Sequence, residues 1–351
     1  MKKIAILILL VLIQTASFAG QQKGFVKGKL GEQIDDLMND FAKEGYSGAV
    51  LIAQNDEILL NKGYGLADRE RKIPNMPQTL FNVASVGKTF TAAAVLKLEM
   101  QGKLRTDDLI SKYLGEFPKE KSGATIHHLL THTAGLLVDG TPLNYENRKS
   151  FVQSVKDAPI ESKPGEKYRY SNAGYVLLAA IVEEVSKMPF EVYLQKNIFD
   201  PAGLNSTGYP WDSKFKNAPL AVGYRGDKLE ELKPEPREQN VWGNRGPGNL
   251  VTTVGDLYKW IQALRKNIIL SEQAKKKMFT AYANGTEGYG WHVRKTPRNT
   301  TFVRRGGGRP DFESEVQWYW DENTVIIFTV NNDLNFRRRV APAIEQLIWG
   351  K

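Results

Sequence analysis

Apolar positions recur along this chain with two different periods, and the periods occupy different parts of it. From Gln33 to Lys43 they fall at Ile34, Leu37, Met38 and Phe41, the three-and-four spacing of an amphipathic helix. "SGAVLIAQNDEILLNKGYG" (47–65) then reads as two strands turned at Asn55-Asp56, an antiparallel hairpin. "VGKTFTAAAVLKLEMQG" (86–102) is alanine- and leucine-rich and stops at Gly102, a helix with a glycine terminus. Helical patterns continue through the middle. Thr125 stands as a cap before "IHHLLTH", and Ser171 or Asn172 before "AGYVLLAAIVEEVSK". Pro189 suits the first turn of "PFEVYLQKNIF", and Thr253 and Asp256 have capping-box spacing ahead of "LYKWIQALRKN". Near the end the period returns to that of strands: "GYGWHVRK", "TFVRRG", "FESEVQWYW" and "TVIIFTVNN", with Asp321-Glu322-Asn323 as a turn. "RRRVAPAIEQLIW" closes the chain as a helix.

Strands at both ends with helices between them predict an α+β fold. One antiparallel sheet is built from both chain ends and flanked by helices, and a mainly helical lobe is inserted. The expected division is a single domain over 20–351, with the sheet lobe at about 24–80 and 285–351 and the helical lobe at about 81–284. A cleft between two such lobes is a natural place for a site.

The first residues modify this picture. Lys2 and Lys3 precede an apolar run from Ile4 to Ile13, followed by Ser17-Phe18-Ala19, a small-x-small pattern. This is the form of a secretory signal peptide cleaved near Ala19. The run is shorter than the ~20 apolar residues a spanning helix needs, so no stable anchor is expected after cleavage. The expected location is the bacterial periplasm or the exterior. The chain has no cysteine, which removes disulfides, thiolate metal sites and cysteine nucleophiles. Its four histidines are scattered, and no metal site is expected. The net charge of +9 becomes +7 without Lys2 and Lys3, a modest excess that suits an anionic envelope or acidic substrates.

Three stretches carry candidate chemistry. "VGKT" resembles the end of a phosphate-binding loop, but that pattern needs glycine five positions before Gly87, where Asn82 stands. The same residues fit S-x-x-K, with Ser85 and Lys88 one helical turn apart on one face. A lysine of lowered pKa could take the proton from a serine hydroxyl, and a helix N-terminus would favour the resulting oxyanion. The same pair would also serve as a helix cap and a solvated lysine. The second stretch is Tyr170-Ser171-Asn172 ahead of a long apolar helix. Tyr170 could be a packing residue or a proton shuttle, and Asn172 could bind a substrate amide. The third is "RRGGGRP" (304–310), between predicted strands. Three arginines inside strands of a secreted domain do not make an extended nucleic-acid-binding segment, and no nucleic-acid partner is expected. Glycines in a strand let a ligand lie close and leave an N–H for an oxyanion.

S-x-x-K, Y-x-N and a late basic-x-G strand, in this order, resemble the serine β-lactamase and penicillin-binding-protein superfamily. "LLTHTAGL", "PGEKYRYSNAGYVLLAAIVE", "IFDPAGLNST" and "GNLVTTVGDLYKW" resemble its class C β-lactamase-like branch, from about Gly48 to the last helix. The resemblance implies a serine hydrolase acting through an acyl-enzyme, without metal or cofactor, on an ester, a D-amino-acid peptide or a β-lactam. It implies Ser85 as nucleophile, Lys88 as its base partner and Tyr170 as proton shuttle. The backbone N–H groups of Ser85 and Gly308 would form the oxyanion hole, and Asn172, Arg305, Gly306 and Gly307 would meet the substrate. Two departures stand out. Arg305 replaces the usual Lys or His and cannot titrate near neutral pH. Gly306 replaces the usual hydroxyl residue. They keep a second reading open, a protein of this fold that binds or senses a peptidoglycan-like ligand or a β-lactam without turnover. His132 is expected to be structural, His127 and His128 to pack or face solvent, Glu166 to sit in a turn, and Trp242, Trp291, Trp318 and Trp320 to line core or cleft.

Overall fold

The computed structural model describes residues 24–136, 147–226, 228–229, 232–234 and 240–350; the expected signal peptide lies outside them. The elements that position the site are, in chain order, β1 (Phe25–Val26), α1 (Gly28–Lys43), β2 (Gly48–Gln54), β3 (Glu57–Tyr64), α2 (Gly87–Met100), α3 (Ile126–Leu130), α4 (Asn172–Ser186), α5 (Val254–Arg265), β4 (His292–Lys295), β5 (Thr301–Arg309), β6 (Phe312–Tyr319), β7 (Thr324–Val330) and α6 (Arg337–Trp349). Seven strands form one antiparallel sheet in the order β1-β3-β2-β7-β6-β5-β4, so the two chain ends meet where β2 pairs with β7. This is the expected α+β architecture.

The alternation of side chains sorts the sheet's two faces. Val50 and Ile52 of β2 and Ile326 and Phe328 of β7 pack on Ile34 and Met38 of α1 and on Val340 and Ile344 of α6. Ala49, Leu51, Val325 and Ile327 face the other way, into a larger core with α2, α4 and α5. Burial of each large aliphatic side chain contributes about 1.5–3 kcal/mol, and the central strands are buried on both faces.

Local details follow the turn and cap chemistry with a few corrections. Asn55 and Asp56 both have positive φ, as a tight two-residue hairpin requires. Thr125 accepts from His128 N–H while His128 Nδ1 accepts from Thr125 N–H, a full capping box. Ser171 caps α4 by accepting from Gly174 N–H. Thr253 caps α5, but only half of the expected box forms, because the Asp256 carboxylate binds Ser206 N–H and Thr207 Oγ1 instead. Pro189 lies at the cap rather than inside the first turn, and the helix after it widens to a π turn at Gln195–Phe199. The strand predicted from Gly288 begins only at His292, since Gly290 is left-handed (φ 77°) and lies against the carbonyl of Lys88.

Gly48 brings β2 and β7 together. A Cβ there would lie 1.7 Å from the Thr329 carbonyl oxygen, a backbone atom held in the ladder. Gly48→Ala should therefore cost about 3 kcal/mol, the upper range for forced overpacking, and lower the urea midpoint of unfolding accordingly.

Candidate functional site

Ser85 sits in a short 3₁₀ turn (Ala84–Val86) that runs directly into α2. Ala84 holds φ 43°, a left-handed conformation that costs a residue with a Cβ on the order of 1–2 kcal/mol. The turn is retained by packing from two sides. Asn82 Oδ1 accepts from Ala84 N–H at 2.9 Å. Gly87 lies so close to Gly248 that a Cβ would come within 2.7 Å of its Cα. On the sheet side, Gly307 of β5 lies against the Val83 carbonyl and the Ser85 nitrogen. Glycine is needed at these positions because backbone meets backbone.

One helical turn on, Lys88 has no exposed surface. Its Nζ donates to Ser85 Oγ at 3.0 Å, Asn172 Oδ1 at 2.8 Å and the Pro247 carbonyl at 2.7 Å. Three acceptors match the three donors of an ammonium group. Burial lowers its pKa to about 8, with the neighbouring Arg305 acting in the same direction and Tyr170 opposing both.

Tyr170 Oη lies 2.7 Å from Ser85 Oγ. Burial alone would raise the phenol's pKa, but the Lys88 and Arg305 cations outweigh it and bring it down to about 8. Arg305 Nη2 donates to Tyr170 Oη at 3.1 Å, and Nε donates to the Ser85 carbonyl at 3.2 Å. His132 packs its ring on Tyr170 with centroids 4.5 Å apart. Its Nδ1 accepts from Ser171 N–H at 3.0 Å. Burial, with Arg305 and Lys88 nearby, holds its pKa well below the usual histidine value, so the ring is neutral. His132 thus has the structural place expected of it.

Ser85, Asn172, Asn244, Asn249, Gly308 and Arg309 line a cleft of about 250 Å³. Ser85, Lys88, Tyr170, Asn172, Gly307 and Gly308 are therefore brought together. Arg305 and Gly306 are placed differently from the substrate-facing arrangement the motif suggested. Strand alternation turns Arg305 and Gly307 toward Ser85 and Gly306 away. Arg305 is 2% exposed and lies behind Tyr170, while a Cβ on Gly306 would meet Arg337 Nη1 and Glu315 Oε2. Glu166 sits in an exposed turn, accepting from Lys163 N–H. Trp242, Trp291 and Trp318 are buried in the main core and Trp320 packs against it.

Two partners escaped sequence reasoning. The Pro247 carbonyl is a backbone group, marked in the sequence only by glycines on either side. Glu287, 1% exposed, binds Arg305 Nη1 at 3.3 Å, and nothing in "NGTEGYG" distinguishes it from a solvated glutamate.

The sequence profile described as "Beta-lactamase" matches residues 34–347. Penicillin-binding protein 4* of Bacillus subtilis (strain 168) is 30% identical over 335 residues, covering 88% of this chain and 74% of that protein. Among solved structures, D-amino acid amidase from Ochrobactrum anthropi SV3 superposes with a TM-score of 0.81 at 21% identity, covering 92% of this chain and 99% of that one. A class C beta-lactamase gives a TM-score of 0.80 at 22% identity, with coverage of 92% and 97%.

The contact between β5 and the Ser85 turn is directly testable. A Cβ at position 307 would stand 2.2 Å from the Val83 carbonyl oxygen and 3.1 Å from Ser85 N. Gly307→Ala should push β5 and the Ser85 turn apart and cost about 3 kcal/mol, the upper range for forced overpacking, with a lower urea midpoint of unfolding. A wild-type midpoint in the variant would contradict the packing.

Proposed function

Because the chain belongs to the beta-lactamase family, we propose that it is a secreted serine hydrolase that forms an acyl-enzyme on Ser85. Its substrates are of the ester, D-amino-acid peptide or β-lactam type, met outside the cytoplasm after loss of residues 1–19. The observation that carries this reading is the position of Ser85 Oγ, 2.7 Å from Tyr170 Oη and 3.0 Å from Lys88 Nζ.

The reaction can be written from these groups. Ser85 Oγ attacks the substrate carbonyl carbon and passes its proton to Tyr170 Oη, which accepts it as phenolate. Lys88, filled by its three acceptors, remains an ammonium that stabilises both the phenolate and the developing alkoxide. The carbonyl oxygen becomes an oxyanion at the N–H groups of Ser85 and Gly308, next to the start of α2. The bond to the leaving group breaks, and Tyr170 returns its proton to that group. Water then attacks the ester on Ser85 and gives a proton to Tyr170. Ser85 Oγ leaves and recovers that proton. Asn172, which accepts from Lys88 through Oδ1, keeps its amide N–H₂ for the acyl side of the substrate. Arg305 has no proton to exchange in this scheme. Its charge serves Tyr170, so arginine in place of lysine or histidine is compatible with turnover.

Labelling, acylation rates and their pH dependence test this reading. The purified mature protein should take one equivalent of a fluorophosphonate probe, and Ser85→Ala should take none; labelling that persists in the alanine variant would refute the nucleophile. Tyr170→Phe should acylate about 10²–10⁴-fold more slowly. The pH dependence follows from the two pKa values near 8. The reactive state holds one proton between Lys88 and Tyr170. As pH falls below about 8 the phenolate is protonated, and as it rises above about 8 the ammonium is lost. The acylation rate should therefore be bell-shaped with its maximum near pH 8, and a profile flat from pH 6 to 9 would contradict the assignment. A panel of a short-chain aryl ester, a D-alanyl-D-alanine peptide and a chromogenic cephalosporin then sorts the substrate types.

A further inference from the structure

Glu287 is a buried carboxylate that the reaction above does not use. It lies in the turn before β4, held by its own N–H to the Ala283 carbonyl at 2.8 Å. Its two oxygens collect donors from both lobes. Oε1 accepts from Arg305 Nη1 of β5 at 3.3 Å. Oε2 accepts from the Tyr168 hydroxyl at 3.2 Å and lies 3.0 Å from His292 Nε2 of β4. His132 Nε2 is 3.7 Å from Oε1, beyond hydrogen-bond reach.

We propose that Glu287 is a positioning residue of the acylation site, fixing the Arg305 guanidinium behind Tyr170 and setting the net charge that surrounds the phenol. The inference rests on acylation at Ser85 as read above.

The geometry of the guanidinium is the argument. Arg305 has a rigid planar fork with acceptors in three directions: the Ser85 carbonyl on Nε, Tyr170 Oη on Nη2 and Glu287 on Nη1. Two of these partners belong to the reaction, and the third is the only carboxylate among the hydrogen-bond partners described for Arg305. The groups that face Tyr170 are Lys88 from α2, Arg305 from β5 and the neutral His132 ring. With Glu287 ionised, its charge offsets one of the two buried cations. Without it, the phenol stands between two uncompensated cations, and a buried guanidinium is left with neutral acceptors or the phenolate alone. The phenol would then lose its proton more readily and be a weaker base. A lysine at 305 would carry the charge but could not span three partners in one plane.

The test is the pH dependence of fluorophosphonate labelling in the full mature protein. Glu287→Gln should lower the rate at the optimum about tenfold and move the acid limb down by about half a pH unit or more, because removal of a negative charge favours the phenolate. Glu287→Asp should keep the acid limb at its wild-type position. In an Arg305→Gln background, Glu287→Gln should slow labelling far less than tenfold, since the carboxylate no longer has a guanidinium to position, while loss of its charge still moves the acid limb down. A folded Glu287→Gln protein with the wild-type acid limb would overturn the proposal, as would independent, multiplying losses of rate in the two substitutions. If Glu287→Gln alone fails to fold, the double variant, which buries neither charge of the pair, decides the matter. It should fold and label at its optimum within a few-fold of Arg305→Gln, and a tenfold further loss would overturn the proposal. A wild-type protein that takes no label contradicts the acylation reading itself, whereas a labelled wild type with an unmoved variant contradicts this inference alone.

Discussion

A lysine ammonium without exposed surface needs acceptors, and the site is organised around meeting that need for Lys88. Its three donors reach a serine hydroxyl, an asparagine side chain and a backbone carbonyl, drawn from three separate parts of the chain. Each acceptor explains a structural demand elsewhere. The Pro247 carbonyl reaches Lys88 only because Gly87 and Gly248 let α2 and that segment touch. Asn172 arrives on the first residue of α4, where Ser171 supplies the cap. Ser85 is held one turn before Lys88 by a strained Ala84. Truncating the ammonium would take a donor from the buried Pro247 carbonyl and from Ser85 and Asn172 at the cleft, so the sequence around each of them is constrained by one charge.

That charge has a second consequence. A phenol in a buried site should be a weaker acid than in water. Tyr170 is instead the stronger acid, because Lys88 and Arg305 both face it. Tyrosines of this protein that are fully buried, as Tyr170 is not, behave as burial dictates. The pKa values of Tyr46 and Tyr175 are raised well above the usual phenol value. The difference lies in what the hydroxyl meets: Tyr170 Oη accepts from Arg305 and faces Lys88, whereas the Tyr175 hydroxyl donates to the Leu130 carbonyl. Ser85 sits where the start of α2, Tyr170 and β5 meet, so helix and sheet both contribute to the site.

How much of this the sequence reveals depends on how local each feature is. Ser85 and Lys88 are legible because helix geometry places i and i+3 on one face. The helices at 126 and 172 are legible through Thr125 and Ser171 as caps. The sheet's two-ended construction follows from the position of the strand-like segments. The strand period also holds the correction for 305–307. Alternation puts Arg305 and Gly307 on one face and Gly306 on the other, which reading the three as one substrate-facing motif overlooked. Glu287 and the Pro247 carbonyl are another matter. Each acts across more than a hundred residues of chain or within a turn whose direction only the packed structure sets, and residue type says nothing about whether a glutamate is buried.

The central claim is that two buried cations make Tyr170 an unusually acidic phenol at the serine it serves. The direct measurement is a pH titration of the protein labelled with ¹³C at the tyrosine ζ carbons, followed by NMR and assigned with Tyr170→Phe. The chain has 14 tyrosines. The account predicts one resonance, lost in the phenylalanine variant, that titrates near pH 8. If the resonance lost in that variant titrates at or above the ordinary phenol value near 10, the account is contradicted.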